Sequence, residues 1–288
     1  MEATIRPGRP EDREQIAAWT RNTFTWGDYV TDAFDDWLTD PSGRLFVAEM
    51  GGRAVGMARV AMLSPDEAWS QGARVHPDLR HQGIGLEIGR HIRAWAEQQG
   101  ARVIRLTVEN WNRAARDHVE KQGFRPAGKW VMAERGVGEN SPVPEGNGGR
   151  RIPAPDGLRP AVPYEVQPAL LSWSGGPLER ASRGLIPIGW TWRRLQPDDL
   201  AAAARRKALW EGRPGWAIAA ADEDTFEVSW LSTVEEDAAA MVRALIDRAA
   251  DAGAERIEAI LPDVPWLRRA LQRAGCELHP LTVYDLAL

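Results

Sequence analysis

The segment RVHPDLRHQGIGLEIGRHIRAW, residues 74–95, sets Arg80 just ahead of two glycines, Gly83 and Gly85. Leu86, Ile88, Ile92 and Trp95 then recur at roughly helical spacing, so the glycines stand where a helix begins. A helix start presents backbone N–H groups without intrahelical acceptors, together with the positive end of the helix dipole. Those two properties make it a seat for phosphate. Glycine permits close backbone approach, and Arg80 adds a charged donor. The same pair would also suit a tight strand-to-helix turn with no ligand, so the surrounding elements have to decide.

Upstream, AWSQGARVHP reads as a strand stopped by Pro77; downstream, the helix ends at Gly100. Residues 4–10 read as a strand, and PEDREQIAAWTRNTF opens with proline and acids, as a helix start does. RLFVAEMGGRAVGMARVAML is two apolar strands around Gly51 and Gly52. RVIRLTVE reads as a strand, NRAARDHVEKQ as a helix closed by Gly123, and KWVMAER as a strand. The order β-α-β-β-β-α-β-α-β predicts an α+β fold, with a mixed, mostly antiparallel sheet flanked by helices. Residues 136–163 are crowded with glycine and proline, a linker composition. The expected division is a domain at 1–140, a linker at 141–163 and a second domain at 164–288.

At 288 residues, with 43% hydrophobic and 27% charged content, the chain suits a soluble globular protein of one or two domains. No apolar run approaches the ~18 residues of a membrane span. The charged N-terminus has no signal-like core, so a cytoplasmic address without a membrane partner is expected. A net charge of −5 with dispersed arginines points away from nucleic acid. The single cysteine, Cys276, excludes an internal disulfide and a cysteine-rich metal site, and reads as a buried small hydrophobe. The five histidines are scattered without ligand-like spacing, so no metal is expected.

The second half echoes the first. TWRRLQPDDLAAAA (191–204) repeats the pattern of TIRPGRPEDREQIAA (4–18), and residues 251–277 repeat that of 98–124. A shift of 153 residues matches Gly100 to Gly253 and Ile104 to Ile257; a shift of 152 matches Gly123 to Gly275. Two echoes in the same order predict a tandem duplication.

Taken with NRAARDHVEKQGF, the glycine segment resembles the GCN5-related N-acetyltransferase (GNAT) superfamily over residues 4 to about 135. Val75 and Pro77 match its V-x-P strand end, and Arg80, Gly83 and Gly85 its Q/R-x-x-G-x-G/A loop. Asn112, Ala115, Lys121, Gly123 and Phe124 match its N-x-x-A-x-x-x-Y-x-K-x-G-F segment. The resemblance implies acetyl transfer from acetyl-CoA to an amine by direct attack. It places the pantetheine arm on the backbone around Val75 and His76. Arg80 and the N–H groups of His81, Gln82, Gly83, Ile84, Gly85 and Leu86 would take the pyrophosphate, and Asn112 and Ala115 would face the thiol end. The family's tyrosine, often the acid for the leaving thiolate, falls at Val119. Its neighbour His118, about 100° around the helix, is a candidate for that role or a surface histidine.

In this family the segment around the first two helices helps shape the acceptor pocket. Here FTWGDYVTDAFDDWLTD (24–40) carries five aromatics and five acids and no basic residue. An acidic, aromatic mouth would favour a cationic or amine-bearing acceptor, with Trp26, Asp28 and Tyr29 as candidate substrate residues. An amphipathic helix with a buried aromatic stripe and a solvated acidic face would give the same composition. Glu49 and Glu109, both on strands, are candidates for the general base.

In the second repeat TVEEDA (233–238) stands where RHQGIG (80–85) stands in the first, so Thr233 replaces Arg80, Glu236 replaces Gly83 and Ala238 replaces Gly85, and the acids Glu235, Glu236 and Asp237 stand where a pyrophosphate would bind. That half is expected to keep the shape and to lack the anion site. The leading expectation is an N-acetyltransferase for a small-molecule or amino-acid-like amine, either a monomer with an internal pseudo-dimer or a homodimer. The alternatives are an acyl-CoA sensor without turnover, a protein N-acetyltransferase, and an enzyme like the tandem mycothiol synthases.

Overall fold

The computed structural model describes residues 3–24, 27–138 and 157–288. Its contacts form two compact units. The first comprises Met1–Thr107, Arg113–Arg125 and Tyr284–Leu288; the second comprises Val108–Asn112 and Pro126–Val283. The grouping therefore differs from a single cut at the linker, because short segments of sequence belong to the unit built mainly by the other half.

In the first unit the chain runs β1 (Thr4–Pro7), α1 (Asp12–Thr20), α2 (Phe34–Thr39), β2 (Gly43–Met50), β3 (Arg53–Ser64) and β4 (Glu67–Val75). Then follow α3 (Ile84–Gln98), β5 (Val103–Glu109) and α4 (Arg113–Lys121). The sheet order is β1-β2-β3-β4-β5, antiparallel except for the parallel β4–β5 pair. Ile84, Ile88, Ile92 and Ala96 recur every fourth residue on α3 and are buried. Gly56 of β3 lets that helix approach, since a Cβ there would lie 3.1 Å from Ile88 and 3.2 Å from Ile84. Each buried isoleucine contributes about 1.5–3 kcal/mol. The opposite face of the sheet, with Leu45, Val47 and Met57, packs on Ile16 of α1 and on Phe34 and Trp37 of α2.

The second unit takes in β6 (Arg125–Gly136) from Pro126 onward and resumes with β7 (Arg159–Pro160), α5 (Val166–Trp173), α6 (Pro177–Ser182), β8 (Leu185–Ile188) and β9 (Thr191–Arg194). It continues through α7 (Pro197–Arg205), β10 (Leu209–Gly212), β11 (Gly215–Asp222), β12 (Thr225–Ser232), α8 (Ala238–Asp251), β13 (Arg256–Pro262), α9 (Pro265–Arg273) and β14 (Glu277–Ala287). Its sheet order is β14-β6-β13-β12-β11-β10-β7. The last part of the expected linker thus forms β7, paired with β10; residues 139–156 lie outside the described residues. Among the described residues no helix is long and apolar enough to cross a membrane.

Matched detail supports the duplication. Arg6 grips Asp12 through two bonds of 2.7 Å, and Arg193 grips Asp199 through bonds of 2.8 and 2.5 Å. Each aspartate also accepts the backbone N–H three residues earlier, from Arg9 and Gln196. Burial opposes the charge of Asp12, but the Arg6 and Arg9 bonds outweigh it and hold its carboxyl below the usual range. Gly100 and Gly253 are both left-handed at their helix ends (φ +91° and +75°), as are Gly123 and Gly275 (φ +95° and +81°). One exchange breaks the parallel: β9 pairs with β8 in a separate two-stranded sheet, whereas β1 pairs with β2.

Candidate active site

In the first unit β4 and β5 pair only through Glu67↔Val103, Ala68↔Ile104 and Trp69↔Arg105. A buried bond of 2.5 Å from Arg105 to Glu67 locks that short ladder. Beyond it, among the described residues, no ladder pair joins Ser70–Val75 to β5. An extra residue in β4 relative to β3, at Gly72–Ala73, makes a bulge, and Gly72 is left-handed (φ +68°). The Trp37 ring fills the space above Gly72, where a Cβ would lie 2.6 Å from it. Bulges of this kind re-aim a strand and its N–H groups, often beside active sites.

The eight residues 76–83 link β4 to α3. His76 bonds backbone to backbone with Val55 and accepts the Asp78 N–H at Nδ1, opening a single 3-10 turn at Pro77–Leu79. Arg80 is exposed, with Nε 3.5 Å from the Val75 carbonyl. His81 (φ +65°) and Gly83 (φ +85°) are left-handed, and Gly83 is the N-cap of α3 with no side-chain cap bond. The first intrahelical bond is donated by Glu87 to Gly83. The N–H groups of Ile84, Gly85 and Leu86 are therefore left for something outside the helix. Alternating backbone conformations such as these make N–H concavities for anions.

The two glycines have different reasons. A Cβ on Gly83 would meet nothing within 4 Å, so Gly83 is required by its backbone angle. A Cβ on Gly85 would lie 3.0 Å from Cε1 of His118, so Gly85 is required by a packed neighbour. Beside the expected phosphate role, Gly85 thus has a packing reason of its own. One turn further, Gly89 faces Gln122, and Gln122 Nε2 lies 2.8 Å from His118 Nε2. The amide nitrogen donates there, so the ring proton sits on Nδ1. Gly85 and Gly89 of α3 thus interlock with His118 and Gln122 beside the C-terminal end of α4 (both pairs at i, i+4). Burial, and then Lys121, lower the affinity of His118 for a proton, which keeps the ring neutral. His118 is half-buried at the helix start, not a surface histidine, and Val119 is turned into the core at 8% exposure.

The first unit brings Val75, His76, Arg80 to Leu86, Ala115 and His118 into one body, with Val75 Cγ2 3.8 Å from the place a Cβ on Gly85 would take. Glu109 and Asn112 are grouped with the second unit, and the Asn112 N–H bonds to the Glu109 carbonyl. Glu49 is held by Arg6 at 2.6 Å, the same guanidinium that grips Asp12, so it is committed to an ion pair on β2. Trp26 lies outside the described residues.

The open acidic mouth is corrected. Asp28 is 1% exposed and takes two bonds from Arg74 of β4, at 2.7 and 3.0 Å. Arg74 also stacks over Phe24 at 5.2 Å and Tyr29 at 5.6 Å. Asp40 pairs with Arg59, and Asp35 lies 3.5 Å from Arg13. Three of the five acids, Asp28, Asp35 and Asp40, are answered by arginines from other elements, which no reading of 24–40 alone could reveal. What the segment presents beside β4 is Tyr29, 42% exposed and edge-on to Trp37.

Residues 13–124 match the model of the Acetyltransferase (GNAT) family. That match spans 112 of the 288 residues, so similarity to the GNAT family is shown for this segment of the chain. Acetyl-CoA is the co-substrate typical of that family. No curated protein matches the chain significantly. Among solved structures, a GCN5-related N-acetyltransferase from Sphaerobacter thermophilus is 15% identical, with a TM-score of 0.67 over 99% of this chain and 95% of that one. Another, from Kribbella flavida, is 13% identical with a TM-score of 0.52 over 99% of this chain and 72% of that one. At these identities the GNAT likeness is one of fold, and it runs through both repeats.

Proposed function

We propose that the first unit binds acetyl-CoA at the start of α3 and acetylates the amine of a small molecule or amino-acid-like acceptor. The observation that carries this reading is the uncapped start of α3, with Gly83 left-handed, directly after a strand that has parted from its parallel neighbour. The bare N–H groups of Ile84 to Leu86, with exposed Arg80, suit a pyrophosphate. The unpaired part of β4 offers backbone groups to an extended arm. Bound acetyl-CoA supplies the activated acyl group. The protein's own part is to orient the reactants and to offer N–H groups where negative charge develops. His118, neutral and fixed by Gln122, borders the cradle as a contact for the bound molecule.

The second unit is proposed to be non-catalytic. Its strand-to-helix loop is the five residues 233–237, against eight in the first unit, and Asp237 stands at the N-cap of α8 with φ −99°. Glu235 pairs with Arg269 at 2.9 Å. Beyond the last β12–β13 pair, Val228↔Ala259, Trp230 packs on Trp173 of α5 at 5.4 Å.

Calorimetric titration with acetyl-CoA, followed by coenzyme A release over a panel of free amino acids, polyamines and aminoglycosides, tests both levels. Turnover on one class names the acceptor. Tight binding with no turnover on any amine or peptide favours a sensor, and absence of binding overturns the proposal.

A further inference from the structure

The histidines are scattered in sequence, yet the fold of the second unit gathers one of them with two glutamates. Glu277 and His279 stand two apart on β14, so both side chains leave the same face of the strand. Glu134 comes from β6, the neighbouring strand. His279 Nε2 lies 2.9 Å from Glu134 Oε1 and 3.7 Å from Glu277 Oε1. The three ligand atoms all fall within 4.8 Å of one another, and this is the one group of its kind among the described residues.

We propose that Glu134, Glu277 and His279 bind one divalent metal ion of the zinc type on this face of the sheet. Two ligands each about 2.1 Å from a tetrahedral ion stand roughly 3.4 Å apart. The observed separations bracket that value, so side-chain rotation alone can complete the geometry. One imidazole nitrogen with two carboxylates selects zinc-like ions over magnesium or calcium, which prefer oxygen alone. Half-exposure of Glu134 and His279 leaves a fourth position for water.

The charge around the group gives an independent reason. Glu134 stands opposite Glu258 of β13, and Glu258 opposite Glu227 of β12, so three carboxylates line up across three strands. Like charges directly opposite on neighbouring strands repel. Arg256, the nearby base, is already bonded to Thr225 and lies 3.7 Å from Asp224. A bound cation would offset the row and tie β14 to β6.

The test uses the full chain without a histidine tag, titrated with zinc by calorimetry and with cobalt(II) by visible absorption. One equivalent should bind, and His279→Ala and Glu134→Gln should each weaken it by at least about tenfold. Glu227→Gln, in the acidic row but not a ligand, should change it by less than about threefold. Circular dichroism checks that each variant is folded; Glu277→Gln, at a side chain 74% exposed, is the variant least able to disturb the sheet and should also lose affinity. Absence of zinc binding, or affinity unchanged in His279→Ala and Glu277→Gln, overturns the site and leaves an ordinary His279–Glu134 ion pair.

Discussion

Two helices of this molecule begin in corresponding places and begin differently. α3 starts with a left-handed glycine and an eight-residue approach; α8 starts with Asp237, a five-residue approach and acids around it, and neither start has a side-chain cap bond. Acids just before a helix complement the positive end of its dipole. A glycine start instead leaves room for the proposed anion. The partner helices differ in the complementary sense. Small Gly85 and Gly89 face large, polar His118 and Gln122 in the first repeat. The matching positions in the second repeat are Ala238 and Val242 with Ala270 and Ala274, and the first three of these are buried. The same fold is thus packed around a polar pair in one copy and around aliphatic side chains in the other.

The comparison breaks most visibly at Gly83. Gly83→Glu puts a carboxylate into the cradle, and like-charge juxtaposition of this kind costs several kcal/mol. Acetyl-CoA affinity should fall more than about 100-fold, while Gly83→Asn, which tolerates the left-handed backbone, stays within about fivefold. Equal affinity in Gly83→Glu and wild type, by calorimetry, would show that the anion seat lies elsewhere.

A smaller effect is expected at the interlock. Gly85→Ala forces a methyl against His118, and His118→Ala removes the obstacle, as Ala270 does in the second repeat. A double-mutant cycle in urea should show a coupling of about 1–2 kcal/mol, with Gly85→Ala harmful alone and tolerated with His118→Ala. Additivity within ~0.3 kcal/mol would mean that the two side chains do not meet.

The polar pair also gives the first unit a pH signature. The folded state holds the His118 affinity for protons below its ordinary value of 6.5. The fold therefore prefers the neutral ring. That contribution is whole above pH ~6.5 and is lost as pH falls through that value toward the lowered one. His118→Gln should flatten the fall in stability between about pH 7 and pH 5; an unchanged slope would place the titration on another group. Least of all is expected from Glu236→Gly. It restores a glycine to the approach to α8 but not the longer loop, so no acetyl-CoA binding should appear.

Much of this was legible in the sequence because it rests on local signals. The α3 stripe, the hairpin at Gly51–Gly52 and the helix-closing glycines at 100, 123, 253 and 275 each declare themselves within a few residues. The repeat was legible for the same reason, and Arg6–Asp12 with Arg193–Asp199 shows its physical content. What stayed hidden depends on partners far along the chain. Asp28 reads as an open acid in sequence, and Arg74, 46 residues on, closes over it. Gly85 reads as a phosphate glycine, and α4 supplies His118 against it. The gathering of Glu134 with His279 spans 145 residues and two strands. The α5–β8 segment has no counterpart in the first repeat, so the duplication could not announce it.

The partition of the chain also bears on the order in which the protein can be made. Tyr284–Leu288 belong to the first unit: Tyr284 is buried, Leu286 packs beside Gly123 at 3.4 Å from the place of a Cβ, and the Leu288 N–H bonds to the Arg102 carbonyl. Most of that unit leaves the ribosome by residue 125, yet its last strand segment begins only at residue 284. At ~5–20 residues per second, the nascent first unit waits roughly 10–30 s for its final piece. Over that interval it is exposed to chaperones and proteases as an unfinished body, and a chain terminated early would never close it.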